Sequence, residues 1–307
     1  MFTVVAEDIV KSYSRKVSAL KGVSLSVDKG ELFGLIGPDG AGKTTLFRIL
    51  TTLLLPDSGT ASVCGYDIVK DYKEIRKRVG YMPGKFSLYQ DLSVRENINF
   101  FATLFGTTLK DNYETVKDIY SQIEPFEKRK AGALSGGMKQ KLALSCALIH
   151  RPDVLFLDEP TTGVDPVSRK EFWVMLKRLK EQGLSIIVST PYMDEATLCD
   201  RIALIHNGLF MDTDSPSGII SKFDRTLLSV KGSKMPALLK ALRADDRVHS
   251  CFAFGDTHHI VMNKSVSADV IDSLHSSLLS RGFDDVEIKA IAPNIEDCYM
   301  YLDTINR

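Results

Sequence analysis

The spacing of apolar and polar residues changes along the chain, and each change marks an element. Residues 2–31 alternate loosely through FTVVAEDIV and GVSLSVDKG, which predicts antiparallel strands. The apolar run LFGLI (Leu32–Ile36) reads as a strand, and LFRIL (Leu46–Leu50) as a helix beyond a glycine-rich loop. After the turn LPDSGT come a short strand, ASVCGY, a helix over Tyr72–Arg78 and a strand over Val79–Met82. From Ser93 to His150 the period lengthens to that of a helix, in SVRENINFFATLFG, YETVKDIYSQI and GGMKQKLALSCALI; this stretch is a helical insertion. VLFLD (Val154–Asp158) is apolar enough for a strand buried on both faces. A helix over Ser168–Glu181, the strand SIIVST, a short helix MDEATLCD and one strand RIALIHNGLF complete this part. The strand–helix–strand alternation argues for a parallel α/β sheet.

The pattern breaks at DSPSG, between about residues 215 and 225. Beyond it the order is strand (TLLSVKG), helix (MPALLKALRA), two strands (VHSCFAF and HHIVMN), helix (ADVIDSLHSSLLSRG) and strand (DVEIKAI), then a last helix, NIEDCYMYL. That order is βαββαβ-like and predicts a small α+β domain. The expected domains are 1–222, with a helical subdomain at about 87–150, and 223–307.

Composition narrows the function classes. Basic and acidic residues both number 39, so the formal charge is zero and nothing draws the whole molecule to nucleic acid or anionic lipid. No nucleic-acid partner is expected. The five cysteines are scattered without a C-x-x-C pair, against a disulfide framework or a metal site. His258 and His259 adjoin in a predicted strand, where neighbours face opposite ways. The opening MFTVVAEDIVKSYSRK has acidic residues where a leader needs a basic start and an apolar stretch. No apolar run approaches the ~20 residues that cross a bilayer, so a membrane role is expected to be peripheral or a partner's.

The chemistry begins at the turn after LFGLI. GPDGAGKTT (Gly37–Thr45) fits G-x-x-x-x-G-K-[ST] through Gly37, Gly42, Lys43 and Thr44. With Pro38, Asp39, Gly40, Ala41 and Thr45 it forms a loop whose N–H groups point at phosphate oxygens, reinforced by the following helix dipole. Lys43 is placed to reach the β- and γ-phosphates, and the Thr44 hydroxyl to sit on Mg²⁺. LSGGMKQ (Leu134–Gln140) opens another helix whose first N–H groups can hold a phosphate. Asp158, at a strand end, is read as holding Mg²⁺ through water, and Glu159 as polarising the attacking water. PTTGVDP (Pro160–Pro166) follows, and Tyr13, in an N-terminal turn, is read as stacking on an adenine.

In this order the motifs resemble the nucleotide-binding subunit of an ATP-binding cassette (ABC) transporter, over about residues 2–220. LSGGMKQ is that family's signature and separates the chain from other phosphate-loop enzymes. The resemblance implies an α/β fold, a P-loop NTPase core with an antiparallel β subdomain and a helical insertion, plus the small C-terminal α+β domain. It implies ATP and Mg²⁺ as ligands, and a head-to-tail pair of ATPase subunits, homodimer or heterodimer, clasping each ATP between two chains. Ser135, Gly136 and Gly137, with Gln140 in the same segment, would then meet the ATP held by the partner, and Asp165 would sit at the dimer junction. The C-terminal APNIEDCYMYL is similar to the extension on drug- and antibiotic-type exporter ATPases. It implies an export ATPase, cytoplasmic and peripheral at the inner face of the cell membrane, driving polytopic transmembrane subunits. The surface near Phe86–Leu92 is the expected docking groove, although Phe86, Leu88 and Tyr89 read equally well as core residues. Two readings stay beside this one: a nucleotide-binding regulatory scaffold with little hydrolysis, and a non-transport ABC ATPase. The second is disfavoured by a single cassette, no heptad region and no basic surplus.

Three positions depart from the family pattern. Pro191 stands where a histidine usually touches the γ-phosphate, and proline offers neither a polar side chain nor an N–H. Gly84 stands where a magnesium-sensing glutamine is usual, and Gln90 replaces it only if the loop folds back. Asp39 stands where asparagine is common; a carboxylate beside triphosphate is repelled by roughly 1 kcal/mol, so its side chain is expected to point away. Either the chain's own site is weakened and its signature completes a better site on a different subunit, or a homodimer hydrolyses slowly through Glu159.

Overall fold

The computed structural model describes residues 2–14, 17–85, 87–264 and 266–305, and divides into two compact units, one ending at Ser215 and one beginning at Pro216. In the first unit β1 (Phe2–Ser14) pairs antiparallel with β2 (Val17–Asp28). Val4 and Ala6 face inward, and a bulge at Asp8 (φ 51°) shifts the next inward residue to Ile9. β3 (Leu32–Ile36) is buried at every position and runs through the phosphate loop into α1 (Lys43–Leu50). β4 (Ser58–Val63) and β5 (Tyr66–Asp67) complete an antiparallel sheet of order β2-β1-β4-β5. α2 (Tyr72–Arg78) and β6 (Val79–Met82) lead to the helical insertion.

That insertion holds α3 (Val94–Leu104), α4 (Tyr113–Tyr120) and α5 (Gly136–Leu148). A capping box starts α3: Ser93 Oγ accepts the Glu96 N–H, and the Glu96 carboxylate accepts the Ser93 N–H. Fully buried Asn97 donates to the carbonyls of Tyr89, Leu92 and Ser93 and so fixes the loop entering the helix.

The chain then re-enters the core as β7 (Val154–Asp158), α6 (Pro166–Glu181), β8 (Ser185–Thr190), β9 (Arg201–His206) and β10 (Leu209–Asp214). The second sheet has the order β10-β9-β3-β8-β7-β6 and is parallel except for β10. β7 and β8, like β3, are buried throughout, because helices and the other sheet cover both faces. α1 packs on β7 through an edge-to-face pair, Phe47 on Phe156, with ring centroids 5.5 Å apart.

RIALIHNGLF proves to be two strands. Asn207 (φ 48°) and Gly208 (φ 79°) both take positive φ and turn β9 back into β10, the hairpin signal that an Asn-Gly pair carries. MDEATLCD is a 3₁₀ run, Met193–Leu198.

The second unit opens with α7 (Pro216–Ser221), in the segment that reads as a break in the sequence, so the division falls at Ser215 rather than after residue 222. β11 (Leu227–Lys231), α8 (Met235–Arg243), β12 (Val248–Phe254), β13 (Thr257–Met262), α9 (Ala268–Ser280) and β14 (Glu287–Ile291) give the βαββαβ order, and α10 (Ile295–Ile305) ends the described chain. The sheet is antiparallel, order β12-β13-β11-β14, with Leu228, Val230, Ile260 and Met262 packed against Leu238, Leu242, Leu274 and Leu278. Adjacent His258 and His259 face opposite ways: His258 Nε2 lies 2.8 Å from the Met235 carbonyl, while His259 Nδ1 lies 2.7 Å from Asp297 on α10.

Candidate functional site

Parallel pairing brings four strand ends to one edge of the second sheet. Ile36 lies opposite Thr190, Ser189 opposite Asp158, and Leu157 opposite Met82. The loops that follow therefore gather in one place, as expected at the carboxyl ends of an open parallel sheet.

The phosphate loop is held tightly there. Gly42 has φ 112°, and a Cβ on it would come within 2.5 Å of the Ala19 carbonyl oxygen, so glycine is required on both counts. The Gly37 N–H donates to the Thr190 carbonyl (3.2 Å) and the Gly208 N–H to the Ala41 carbonyl (3.0 Å), fastening both sides of the loop. Pro38 and Thr44 are half-buried, Ala41 and Thr45 buried, Gly40 exposed. Asp39 is exposed, in keeping with a loop that works through its backbone. Lys43 is 3% exposed; its Nζ donates to the carbonyls of Gly37 (2.8 Å) and Pro38 (2.9 Å) and pairs with Glu159 Oε1 at 3.0 Å. The exposed Tyr13 touches this loop through a hydrogen bond between its hydroxyl and Thr45 Oγ1 (3.2 Å).

The acid pair follows β7. Asp158 is buried and accepts from Ser189 Oγ at 2.7 Å. Burial, followed by the charge of Asp158, pushes the Tyr81 hydroxyl up to about 12. Glu159 has φ 49°, a conformation that costs a non-glycine residue about 1–3 kcal/mol and that surrounding structure must enforce. Its N–H is taken by both the carbonyl and the hydroxyl of Ser189 (3.1 and 3.0 Å). Ser189 thus aligns Asp158 and Glu159 together. Motif reading passes over it; the available signal is a hydroxyl pair, Ser189-Thr190, closing an otherwise apolar run.

The departing positions lie beside this group. Pro191 directly follows Thr190 and is half-buried. A Cβ on Gly84 would sit 3.0 Å from the Asp158 carbonyl oxygen, so that segment lies against the backbone of the acid pair. Gln90 does not fold back to replace the missing glutamine: its carbonyl accepts the Gly132 N–H (2.9 Å) at the base of the helical insertion.

The signature forms a separate, exposed group. Ser135 caps α5, accepting the Met138 N–H, and Ser135 and Gly136 are exposed. A Cβ on Gly137 would meet Ser168 Oγ at 2.7 Å, so the start of α5 rests on the start of α6. Exposed Asp165 caps α6, its Oδ1 accepting from Val167 N (3.1 Å) and Ser168 N (3.0 Å). The Ser168 bonds, with those of neighbouring N–H groups, hold its carboxyl below the usual range. Gln140, one turn along α5, is half-buried and lines a cavity of ≈ 590 Å³ with Tyr81, Gly84, Leu88, Phe101 and Leu104. At its edge Leu88 is buried, whereas Tyr89 is exposed and packs edge-on to Phe100 at 4.9 Å; Phe86 lies outside the described residues.

Residues 20–162 match the ABC transporter family. The linearmycin resistance ATP-binding protein LnrL of Bacillus subtilis is 32% identical over 307 residues, covering 97% of each chain. The chain belongs to the ABC transporter family. The Nod factor export ATP-binding protein I of Burkholderia orbicola is 35% identical over 299 residues, 96% of this chain and 95% of that protein. The probable multidrug ABC transporter ATP-binding protein YbhF of Escherichia coli is 38% identical over 289 residues; these are 92% of this chain but 49% of YbhF, so the ABC chain described here spans about half of that relative. Among solved structures, cbiO1 of the Clostridium perfringens cbiONQ complex superposes with a TM-score of 0.64 at 26% identity, over 72% of this chain and 91% of that one. The dimeric cassette MJ0796, bound to ADP and Pi, shares the fold with a TM-score of 0.63 at 24% identity, over 69% and 98%. As an ABC family member the chain has a nucleotide-binding cassette, and the phosphate loop and acid pair lie on the matched stretch.

Proposed function

We propose that this chain is the ATP-hydrolysing subunit of an ABC-type exporter, working as a head-to-tail pair beneath transmembrane subunits. The observation that carries this reading is the meeting of Lys43 and Glu159 at 3.0 Å over the phosphate loop, with Asp158 behind them. An arriving triphosphate would exchange the carbonyl and carboxylate partners of Lys43 for phosphate oxygens and free Glu159 to polarise water. The hydroxyl of Thr44 and the carboxylate of Asp158 are hard oxygen donors of the kind that suits Mg²⁺, which would neutralise phosphate charge. Tyr13, whose hydroxyl meets Thr45 Oγ1, would stack on the base. The exposed Ser135, Gly136 and Asp165, with half-buried Gly137, would meet the partner's nucleotide. Export follows from the relatives, one a linearmycin resistance protein and another a Nod factor exporter. No helix among the described residues is long and apolar enough to cross a membrane; in this reading transmembrane partners dock on the cavity between the core and the helical insertion. The place of action is then the inner face of the membrane, and the unit beginning at Pro216 is an accessory domain.

Pro191 and Gly84 leave the acid pair without two polar neighbours, which favours a weakened site of its own and a pair with a different ATPase subunit. The test is ATP turnover by the purified chain alone, with Pro191→His, and mixed with a candidate second subunit, together with co-purification with a polytopic membrane protein. Slow turnover alone, raised by Pro191→His and by the partner, is expected. Robust cooperative turnover by the isolated chain, abolished by Glu159→Gln, would overturn the weakened-site reading. Binding without hydrolysis in any mixture would make the chain a regulatory scaffold.

A further inference from the structure

Next to Pro191 lies a buried carboxylate that belongs to none of the motifs. Glu195, in the 3₁₀ run Met193–Leu198, is 2% exposed. Its Oε2 accepts from Thr190 Oγ1 at 2.6 Å and from Thr161 Oγ1 at 3.1 Å. Its Oε1 accepts from Arg169 Nε at 3.1 Å and pairs with Arg169 Nη2 at 3.0 Å. The Arg169 guanidinium lies over the Tyr192 ring, 4.1 Å from its centroid, and reaches Asp194 at 3.5 Å. A charged group this deep is tolerable because donors satisfy both oxygens and the counter-charge is adjacent.

The three partners of this carboxylate come from three parts of the site. Thr190 ends β8, and its carbonyl receives the Gly37 N–H of the phosphate loop. Thr161 lies just beyond Glu159, in a turn closed by Thr162 N–H to the Glu159 carbonyl and Val164 N–H to the Thr161 carbonyl (3.2 Å each). Arg169 stands in the first turns of α6, its N–H on the carbonyl of Asp165. The strained φ of Glu159 is therefore held on both sides, by Ser189 before it and by Thr161 after it, and Thr161 is anchored on Glu195.

We propose that Glu195 is a positioning residue for ATP turnover: through Thr161 it holds Glu159 in place, and through Arg169 it ties that placement to the Asp165 end of α6. Glu195 touches no reacting atom. It supplies rigidity beside a position where Pro191 can supply no polar contact. The proposal rests on the reading of Glu159 as the group that polarises water, and its test separates the two.

Three variants of the full chain are compared, Thr161→Val, Thr161→Ser and Glu195→Gln. Valine keeps the size of threonine but removes the donor; serine keeps the donor. In hydrogen exchange of the nucleotide-free chain, Thr161→Val should speed the amides of Thr162 and Val164 by about tenfold, the loss of one hydrogen bond's worth of local stability, and leave those of β3 and β7 unchanged. Thr161→Ser should match the wild type. In ATP turnover, with a partner subunit where one is needed, Thr161→Val and Glu195→Gln should lower kcat about 10- to 100-fold with KM for ATP within about twofold, since small displacements of a catalytic group cost that much, and Thr161→Ser should restore it. Unchanged exchange in Thr161→Val, or a kcat loss that Thr161→Ser shares, overturns the positioning role. If the wild type shows no turnover with any partner, the hydrolytic reading falls, while the exchange comparison still decides whether Glu195 holds the loop.

Discussion

The phosphate-loop end and the signature end of the cassette, which the proposed function makes complementary halves of one reaction, lie in opposite physical settings. Lys43 and Asp158 are buried, and Glu159 is engaged inside the chain by Lys43 and by Ser189, which pins its strained backbone. Ser135, Gly136 and Asp165 are exposed, and their internal bonds are limited to helix caps. The buried end is preorganised for charge that develops on a bound phosphate, where fixed dipoles out of water are worth most. The exposed end gains such a setting when a second chain covers it. In the proposed reading one chain holds two half-sites, and the boundary between them runs between the loop after β7 and the start of α6.

The sharpest way to break that contrast is Glu159→Gln. If hydrolysis takes place at this chain's own loop, turnover should fall by about 10²–10³ with ATP affinity kept. A fall of less than twofold in the assembled pair would move the chemistry to the partner's loop and leave this end a binding element. Next in size is Lys43→Ala. Losing two charge-assisted hydrogen bonds of about 1.5 kcal/mol each should weaken ATP binding by about a hundredfold, measured by titration with a fluorescent analogue. Unchanged affinity would place the phosphates elsewhere.

The buried end was largely legible because its geometry is local. GPDGAGKTT carries its own turn, and the short apolar runs LFGLI, VLFLD and SIIVST read as strands, which as β3, β7 and β8 are buried at every position. The βαββαβ order of the second unit was legible for the same reason, each strand and helix having its own period. What the residues did not announce depends on pairing between distant segments. Ser189 serves Glu159 because β7 and β8 are in register, and Glu195 meets Thr161 and Arg169 because three loops converge at one sheet edge. The hairpin at Asn207-Gly208 is a different miss: its turn chemistry was present in the sequence and lay hidden inside an unbroken apolar pattern. Helix α7 begins inside the serine-, proline- and glycine-containing break that reads as linker, with Pro216 at its first position, where proline is well tolerated.

At the exposed end the expected effects are smaller. Ser135→Ala removes both the cap of α5, worth about 1 kcal/mol, and the hydroxyl offered to the partner's nucleotide. ATP affinity of the isolated chain should stay as it is, while turnover of the pair drops about tenfold. Reduced affinity in the isolated chain would show that the signature acts within its own chain and would end the contrast between the two ends.

Asp165→Asn gives the smallest effect and tests whether the junction residue is held by its cap before any partner arrives. The N–H groups of Ser168 and Val167 favour its charged form, so the carboxyl titrates below its unfolded value of about 3.9. A group lowered in this way adds stability that is fully present above the unfolded value and fades as pH falls through the folded one. Asparagine keeps the acceptor and loses the charge. The variant should therefore melt slightly below the wild type at pH 7, and the gap should close as the pH falls through the lowered folded value. A gap that stays constant down to that pH would mean that the charge of Asp165 does not act through the helix start, and that its place at the exposed end is set by shape alone.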